Sequence, residues 1–385
     1  MPDRYTPRQM LEKLVAFPTV SSESNLPLID FVEDYLNGHG VPCHRVPDET
    51  GLKSSLFANI GPDEAGGVVL SGHTDVVPVE GQPWTTDPFT VVERDGKLFG
   101  RGTCDMKGFN AIGLALVPDM LAAGLKKPIQ IALSYDEEVG CVGAPPMIAA
   151  MRAALPPARA VVVGEPSLMR MVNGHKGSIG LETHVRGHEV HSSLVHTGVS
   201  AVMVAAKLID WHSERMAENR AAADPSSPYT PPWTTLHVGI VNGGTAGNIT
   251  ARDCHFTTDI RMVPGESADD WYARYRAYAD TLEAGMQAIH PDTGIDIRRR
   301  HGVPACRTEV DSEAEMLVRR LTGDNSEAVV SYGTEAGQFQ DEGYATVICG
   351  PGSIEQAHQA DEFIEVAQLD AGTHFVKRLI AELSA

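Results

Sequence analysis

Four short apolar runs, each ending in or shortly before a histidine or a carboxylate, constrain this chain more than any other feature. Val68-Val69-Leu70 leads to His73, and Ile129-Gln-Ile-Ala-Leu-Ser134 leads to Asp136-Glu137-Glu138. Ala160-Val-Val-Val163 leads to Glu165, and Ala345-Thr-Val-Ile-Cys349 leads through Gly350-Pro-Gly-Ser353 to His358. Runs of Val and Ile without polar alternation suit strands buried on both faces. In a parallel α/β sheet the strand C-termini share one edge, and ligands bind there. A glycine-punctuated turn, Phe99 to Gly108, adds Asp105 just ahead of a mostly apolar segment from Phe109 to Leu121, which is expected to be one buried helix despite Pro118. Alone, Asp105 reads as a helix N-cap or turn aspartate. Taken with the strand ends, His73, Asp105, Glu137, Glu138, Glu165 and His358 form the set expected to converge on one crevice. Two histidines and several carboxylates suit a pair of zinc or similar divalent ions. Asp75, two residues after His73, lies on the same side of an extended chain, so one of the two could bind a metal while the other buttresses the imidazole or turns outward.

Charge and length narrow the function classes. The formal net charge of −20 argues against a nucleic-acid surface and against docking on an anionic membrane. No apolar run approaches the ~18 residues of a membrane span, and the N-terminal stretch lacks the apolar core of a signal peptide. Six cysteines are scattered singly without a Cys-x-x-Cys, as expected of reduced thiols in the cytoplasm. At 385 residues the chain is long enough for two domains.

The pattern changes between Lys176 and about Gly302. Ser178 to Val185 alternates as a half-buried strand, and a helix is expected over 198–219. Strands near 235–241 and 254–260, a helix over about 267–290 and a strand near 295–299 complete the order βαββαβ. That order predicts a ferredoxin-like module inserted into the first domain. The expected division is a catalytic domain of residues 1–175 and 303–385 with an insert of residues 176–302. Residues 328–331 read as a further strand, and the loop from Pro78 to Pro88 as lying near a site.

The phrases SGHTDVVP, GRGTCDMKG, DEEVG, GEP, GHEVHSS and the terminal Gly-Pro-Gly…His together resemble the dinuclear zinc aminoacylase/carboxypeptidase family, over essentially the whole chain. The resemblance implies a mixed, largely parallel sheet with helices on both faces and an inserted α+β lid or dimerisation domain. It implies one metal on His73 and Glu165, a second on Glu138 and His358, and Asp105 bridging both. Zinc is the expected ion, with cobalt able to substitute. Asp75 becomes the partner of His73, and Glu137 the general base and acid for a water held between the metals. His191, from the insert and usually from a partner subunit, is the implied oxyanion donor, although His188 and His196 lie close in sequence. Asn248 and Arg261 are the implied substrate-carboxylate groups, and Gly352 an implied backbone donor. Arg261 alone would read as a strand-end surface arginine.

Ser331-Tyr-Gly-Thr-Glu-Ala-Gly337 and the N-terminal LVAFPTVSSESNLPLIDFV resemble the acetylornithine deacetylase branch of that family. There Glu335 would meet the substrate's cationic side chain or amine; by itself it reads as a buried loop carboxylate. The expectation is a cytoplasmic homodimer that removes acetyl from N2-acetyl-L-ornithine. Alternatives are a succinyl-diaminopimelate desuccinylase or another N-acyl-amino-acid deacylase or carboxypeptidase, and more remotely a non-catalytic binder of amino-acid derivatives. A binder would be expected to lack Glu137 or a ligand.

Overall fold

A computed structural model describes residues 3–385. The described residues divide into two compact units, one of residues 3–174, 306–328 and 334–385, the other of residues 175–305 and 329–333. The first opens with helices α1 (Pro7–Val15) and α2 (Leu26–Gly38). Thr6 and Gln9 form a reciprocal capping box at the start of α1, with Pro7 in its first turn. Strands β1 (Cys43–Pro47), β2 (Ser54–Ile60) and β3 (Gly67–His73) follow, then the short pair β4 (Val92–Arg94) and β5 (Lys97–Phe99).

Next come α3 (Lys107–Ala115) and α4 (Val117–Ala122). The single helix expected over 109–121 is therefore two. Leu116 takes φ −90° and ψ 3°, outside the helical region, and Pro118 sits in the first turn of α4, where its missing N–H costs nothing. Every residue of α3 is buried, which explains its nearly unbroken apolar sequence. Then come β6 (Ile129–Ser134), α5 (Ala144–Ala154) and β7 (Ala158–Pro166).

The second unit comprises β8 (Gly177–Arg186), α6 (Ala201–Ala221), β9 (Thr235–Gly243), β10 (Asp253–Met262), α7 (Ala268–Gln287) and β11 (Gly294–Val303). The chain then returns to the first unit as α8 (Glu313–Thr322), α9 (Ala336–Asp341), β12 (Thr346–Gly350), β13 (Phe363–Glu365) and α10 (Val366–Ser384).

The main sheet has the order β1-β2-β6-β3-β7-β12. Pairing is antiparallel at β1–β2 and β2–β6, then parallel through β6, β3, β7 and β12. The four parallel neighbours are the four apolar runs of the sequence. All residues of β3, β6 and β12 are buried, as required of strands covered on both faces. Helix α3 packs on β3 and β7, α5 on β1, β2 and β6, and α8 and α9 on β7 or β12. Strands β4, β5 and β13 form a small antiparallel sheet that the sequence reading did not resolve.

The second unit's sheet runs β11-β8-β10-β9, antiparallel throughout, the order of a ferredoxin-like βαββαβ module. Its core gathers Trp211 and Leu208 of α6, Trp271 and Tyr275 of α7, and Cys254, Phe256 and Ile260 of β10. Residues 328–331 form no strand: Val330 makes one isolated bridge, to His175.

Candidate metal centre

Three of the parallel strands deliver their terminal side chains to one edge. His73 ends β3, Glu165 is the penultimate residue of β7, and the loop after β6 brings Glu137 and Glu138. Asp105 arrives from the turn before α3. It does not cap that helix, which has no side-chain capping bond among the described residues. Its carboxylate instead faces both histidines: Oδ1 lies 3.1 Å from His73 Nε2, and Oδ2 lies 3.2 Å from His358 Nε2. His358 Nε2 is also 3.0 Å from Glu138 Oε2, and His73 Nε2 is 3.9 Å from Glu165 Oε1. Ligand atoms of His73, Asp105 and Glu138, and again of His73, Glu137 and Glu165, lie within 4.8 Å of one another.

The surroundings fix the tautomer of His73. Its Nδ1 is 2.9 Å from the main-chain oxygen of Asp75, which only accepts. Nδ1 therefore carries a proton, and Nε2 is the nitrogen that would ligate an ion in the centre. The Asp75 carboxylate is 3.6 Å from the same nitrogen and is more firmly engaged elsewhere. It accepts from Ser21 Oγ at 2.7 Å and from the N–H groups of Glu137 and Glu138 at 3.1 and 3.3 Å. One aspartate thus orients both the imidazole and the adjacent glutamate pair.

Two supports escaped the sequence reading. Glu362, buried, accepts the N–H groups of Cys104 and Asp105 at 3.0 and 3.1 Å, while Arg101 Nη1 donates to its other oxygen at 2.8 Å. Cys141 Sγ donates to Glu137 Oε1 at 3.3 Å. The only local sign of Glu362 is its place four residues beyond His358. The loop from Pro78 to Pro88 does reach the site, since Gln82 Nε2 donates to the His358 carbonyl at 2.9 Å. Asp136, Cys141 and His358 all adopt positive φ (54°, 55° and 63°), a costly backbone state for non-glycine residues that gathers at functional sites.

The electrostatics favour cations. Burial, reinforced by Glu138, Asp105 and Asp75, pushes Glu137 up to about 8, although His73 opposes it. Burial and Asp105 push Glu138 up to about 7. Glu165 is driven well above the carboxylate range, by burial first and then by Asp105 and Glu137. Hydrogen bonds that His358 donates to the Asp105 and Glu138 carboxylates raise it to about 10. Glu165 Oε1 is buried with no hydrogen-bond partner among the described residues. An orphaned buried carboxylate oxygen among like charges is suited to ligating a cation. The donor set therefore fits two divalent ions.

The remaining candidates fall elsewhere. Glu335 is 1% exposed, and Ser71 Oγ and Ser134 Oγ donate to its two oxygens at 2.5 and 2.7 Å. It is a buried loop carboxylate, satisfied by serine hydroxyls rather than by backbone. The N–H of Gly352 is donated to Gln368 Oε1 at 3.1 Å, so the backbone donor offered to substrate is already engaged. Gly352 itself is demanded by φ 88° and by Cys104 Sγ, 2.5 Å from where a Cβ would stand. In the second unit His191 and Asn248 are neighbours: the Ser192 N–H donates to the Asn248 carbonyl at 2.9 Å, and His191 Nδ1 lies 2.8 Å from Ser193 Oγ. Arg261 Nε donates to Asp259 at 2.9 Å. His188 stacks on His290 with centroids 3.7 Å apart.

A two-metal carboxylate–histidine centre at the C-terminal edge of a largely parallel α/β sheet defines a metal-dependent amide hydrolase. The chain belongs to peptidase family M20/M25/M40, whose model matches residues 69–382. It is 34% identical over 367 residues to acetylornithine deacetylase of Myxococcus xanthus, covering 94% of this chain and 93% of that protein. The relation places it in the acetylornithine deacetylase branch. Its fold matches an M20 family metallo-carboxypeptidase from Sulfolobus solfataricus (TM-score 0.78, 17% identity, 99% of each chain). It also matches the YXEP protein of Bacillus subtilis, a dinuclear metal binding peptidase (TM-score 0.62, 16% identity, 98% and 97% of the two chains). No helix among the described residues is long and apolar enough to cross a membrane.

Proposed function

We propose that this hydrolase removes the acetyl group from N2-acetyl-L-ornithine, releasing ornithine and acetate, with zinc as the resident ion. The observation that carries the reading is the split of Asp105 between two histidines, with Glu137 close to His73 and Glu165. His73 and Glu165 would hold one ion, Glu138 and His358 the other, and Asp105 both. When bound, the ions lower the pKa of water and polarise an amide carbonyl. Glu137 accepts the proton of the attacking water and later gives it to the leaving amine. Asp75 holds the backbone of Glu137 and Glu138, so the free base and the ligand keep their separate directions.

The acyl group and side chain rest on the relatives named acetylornithine deacetylase and on the phrases around Glu335. The roles of His191 as oxyanion donor and of Asn248 and Arg261 toward the substrate carboxylate carry over from sequence resemblance alone. A homodimer and a cytoplasmic location accompany that reading. The test is amine release by zinc- or cobalt-loaded protein from N-acetylornithine, N-succinyl-diaminopimelate and N-acetylglutamate. Release from acetylornithine alone supports the assignment. Preference for another compound overturns the substrate while keeping the chemistry.

A further inference from the structure

The second unit has its own cluster of metal-binding side chains, unused by the reaction above. Residues i and i+2 of a strand share a face. Along β10, Cys254 and Phe256 turn to the core, which leaves Asp253 and His255 on the opposite, polar face. His184 of β8 pairs directly with His255, and Asp296 of β11 pairs with His184 on its other side. The two imidazoles stack at 3.9 Å with an interplanar angle of 10°, and His184 Nε2 lies 2.8 Å from Asp253 Oδ1. One ligand atom from each of His184, Asp253 and His255 falls within 4.8 Å of the others. His184 and His255 line a cavity of about 360 Å³, with Glu182, Asn242 and Asp296 also in its wall.

We propose that His184, Asp253 and His255 form an additional divalent-metal site on the polar face of the second unit's sheet, taking ions that prefer imidazole, such as Zn²⁺ or Cu²⁺. Two imidazoles and one carboxylate make an open three-ligand set whose fourth position goes to water. Such a set discriminates against Mg²⁺ and Ca²⁺, which require mostly oxygen ligands. The strands fix the backbone spacing, with cross-strand side chains ~5 Å apart at Cβ, and one imidazole rotates out of the stack to turn its ring nitrogen to the shared ion. The hydrogen bond between His184 and Asp253 already directs the carboxylate at the imidazole.

The experiment uses the full chain, stripped with chelator and dialysed against graded free Zn²⁺ or Cu²⁺, with bound metal counted by elemental analysis. At saturation the native protein should hold one ion per chain more than the double variant His184→Ala/His255→Ala. Zinc-saturated hydrolysis by that variant should stay unchanged, and excess Ca²⁺ should not displace the extra ion. Equal metal content in native and double-variant protein overturns the proposal. Should the double variant melt early or lose further ions, Asp253→Asn decides. It should weaken the extra ion by about tenfold or more, and an unchanged binding curve also overturns the site.

Discussion

The centre of the first unit and the histidine pair of the second present similar ligand atoms under opposite conditions. At the parallel-sheet edge Asp105 and Glu165 are buried, and the carboxylates repel one another. On the second unit's sheet, the His184 and Asp253 side chains are 33% and 47% exposed, so water solvates them without an ion. Supports differ as well. Ser21 and two backbone N–H groups hold Asp75, Glu362 holds the backbone at Asp105, and Asn110 Nδ2 donates to the His73 carbonyl at 2.6 Å. Residue type makes a cluster able to bind metal, but burial and buttressing make the absence of metal costly.

The contrast is broken most sharply at Glu137. Glu137→Ala should lower kcat/KM by about 10³-fold, within the range for losing a general base and acid. Bound metal should stay unchanged, because Glu137 is the free member of its pair. Steady-state amine release with metal analysis checks both, and a fall below about tenfold would assign the proton to another group. Next in size is Glu362→Gln. It leaves Arg101 buried without its counter-charge, both side chains being 1% exposed, and should cost about 3 kcal/mol in denaturant unfolding. It should also weaken metal binding about tenfold or more, because the amide accepts on one side only, so either Arg101 or the N–H groups of Cys104 and Asp105 face its NH2 and the Asp105 turn shifts.

The cores repeat the contrast. The second unit buries His212 as a single neutral ring, 2% exposed, among Trp211, Phe256 and Tyr275. Its Nδ1 donates to the Leu208 carbonyl at 2.7 Å. Burial lowers its pKa to about 4, despite that bond. The unfolded chain, with a value near ~6.5, binds more protons across this window. Stability present above pH ~6.5 is therefore lost as pH falls toward the folded value, by roughly 3 kcal/mol from this group. Urea unfolding at several pH values should show His212→Leu losing less than the native chain over that window. Parallel pH profiles would show that the ring does not stay neutral in the fold.

The parallel strands were legible because burial on both faces leaves an unbroken apolar run, a signal contained within a few residues. His73, Glu137, Glu138 and Glu165 follow from it, being attached to those strand ends. The bridging role proposed for Asp105 came from family resemblance, since its turn reads locally as an ordinary helix approach. Glu362 and Ser21 were not legible: each acts on a residue far along the chain, with no periodicity to mark it. Gly352 was read for its N–H, but the structure uses its lack of a Cβ and gives the N–H to Gln368. The break at Leu116 shows the limit of composition, because α3 and α4 are both apolar enough to pass for one helix. The histidine pair on β8 and β10 had only Asp253-x-His255 as a local sign, and strand register was needed to bring His184 opposite.

The smallest expected effect probes that pair with all metal removed. Asp253→Asn keeps the side chain's shape and removes its charge. The partner His184 is partly exposed, so solvent screens most of the attraction. Unfolding of the metal-free chain should change by less than ~1 kcal/mol, as for other exposed ion pairs. By contrast, a carboxylate of the first unit's centre cannot be neutralised without changing a buried network. A larger loss in metal-free Asp253→Asn would show the carboxylate holding β8 to β10 by itself, as a structural ion pair. A negligible loss, joined to weaker zinc binding, would assign the aspartate's contribution to the ion rather than to the fold.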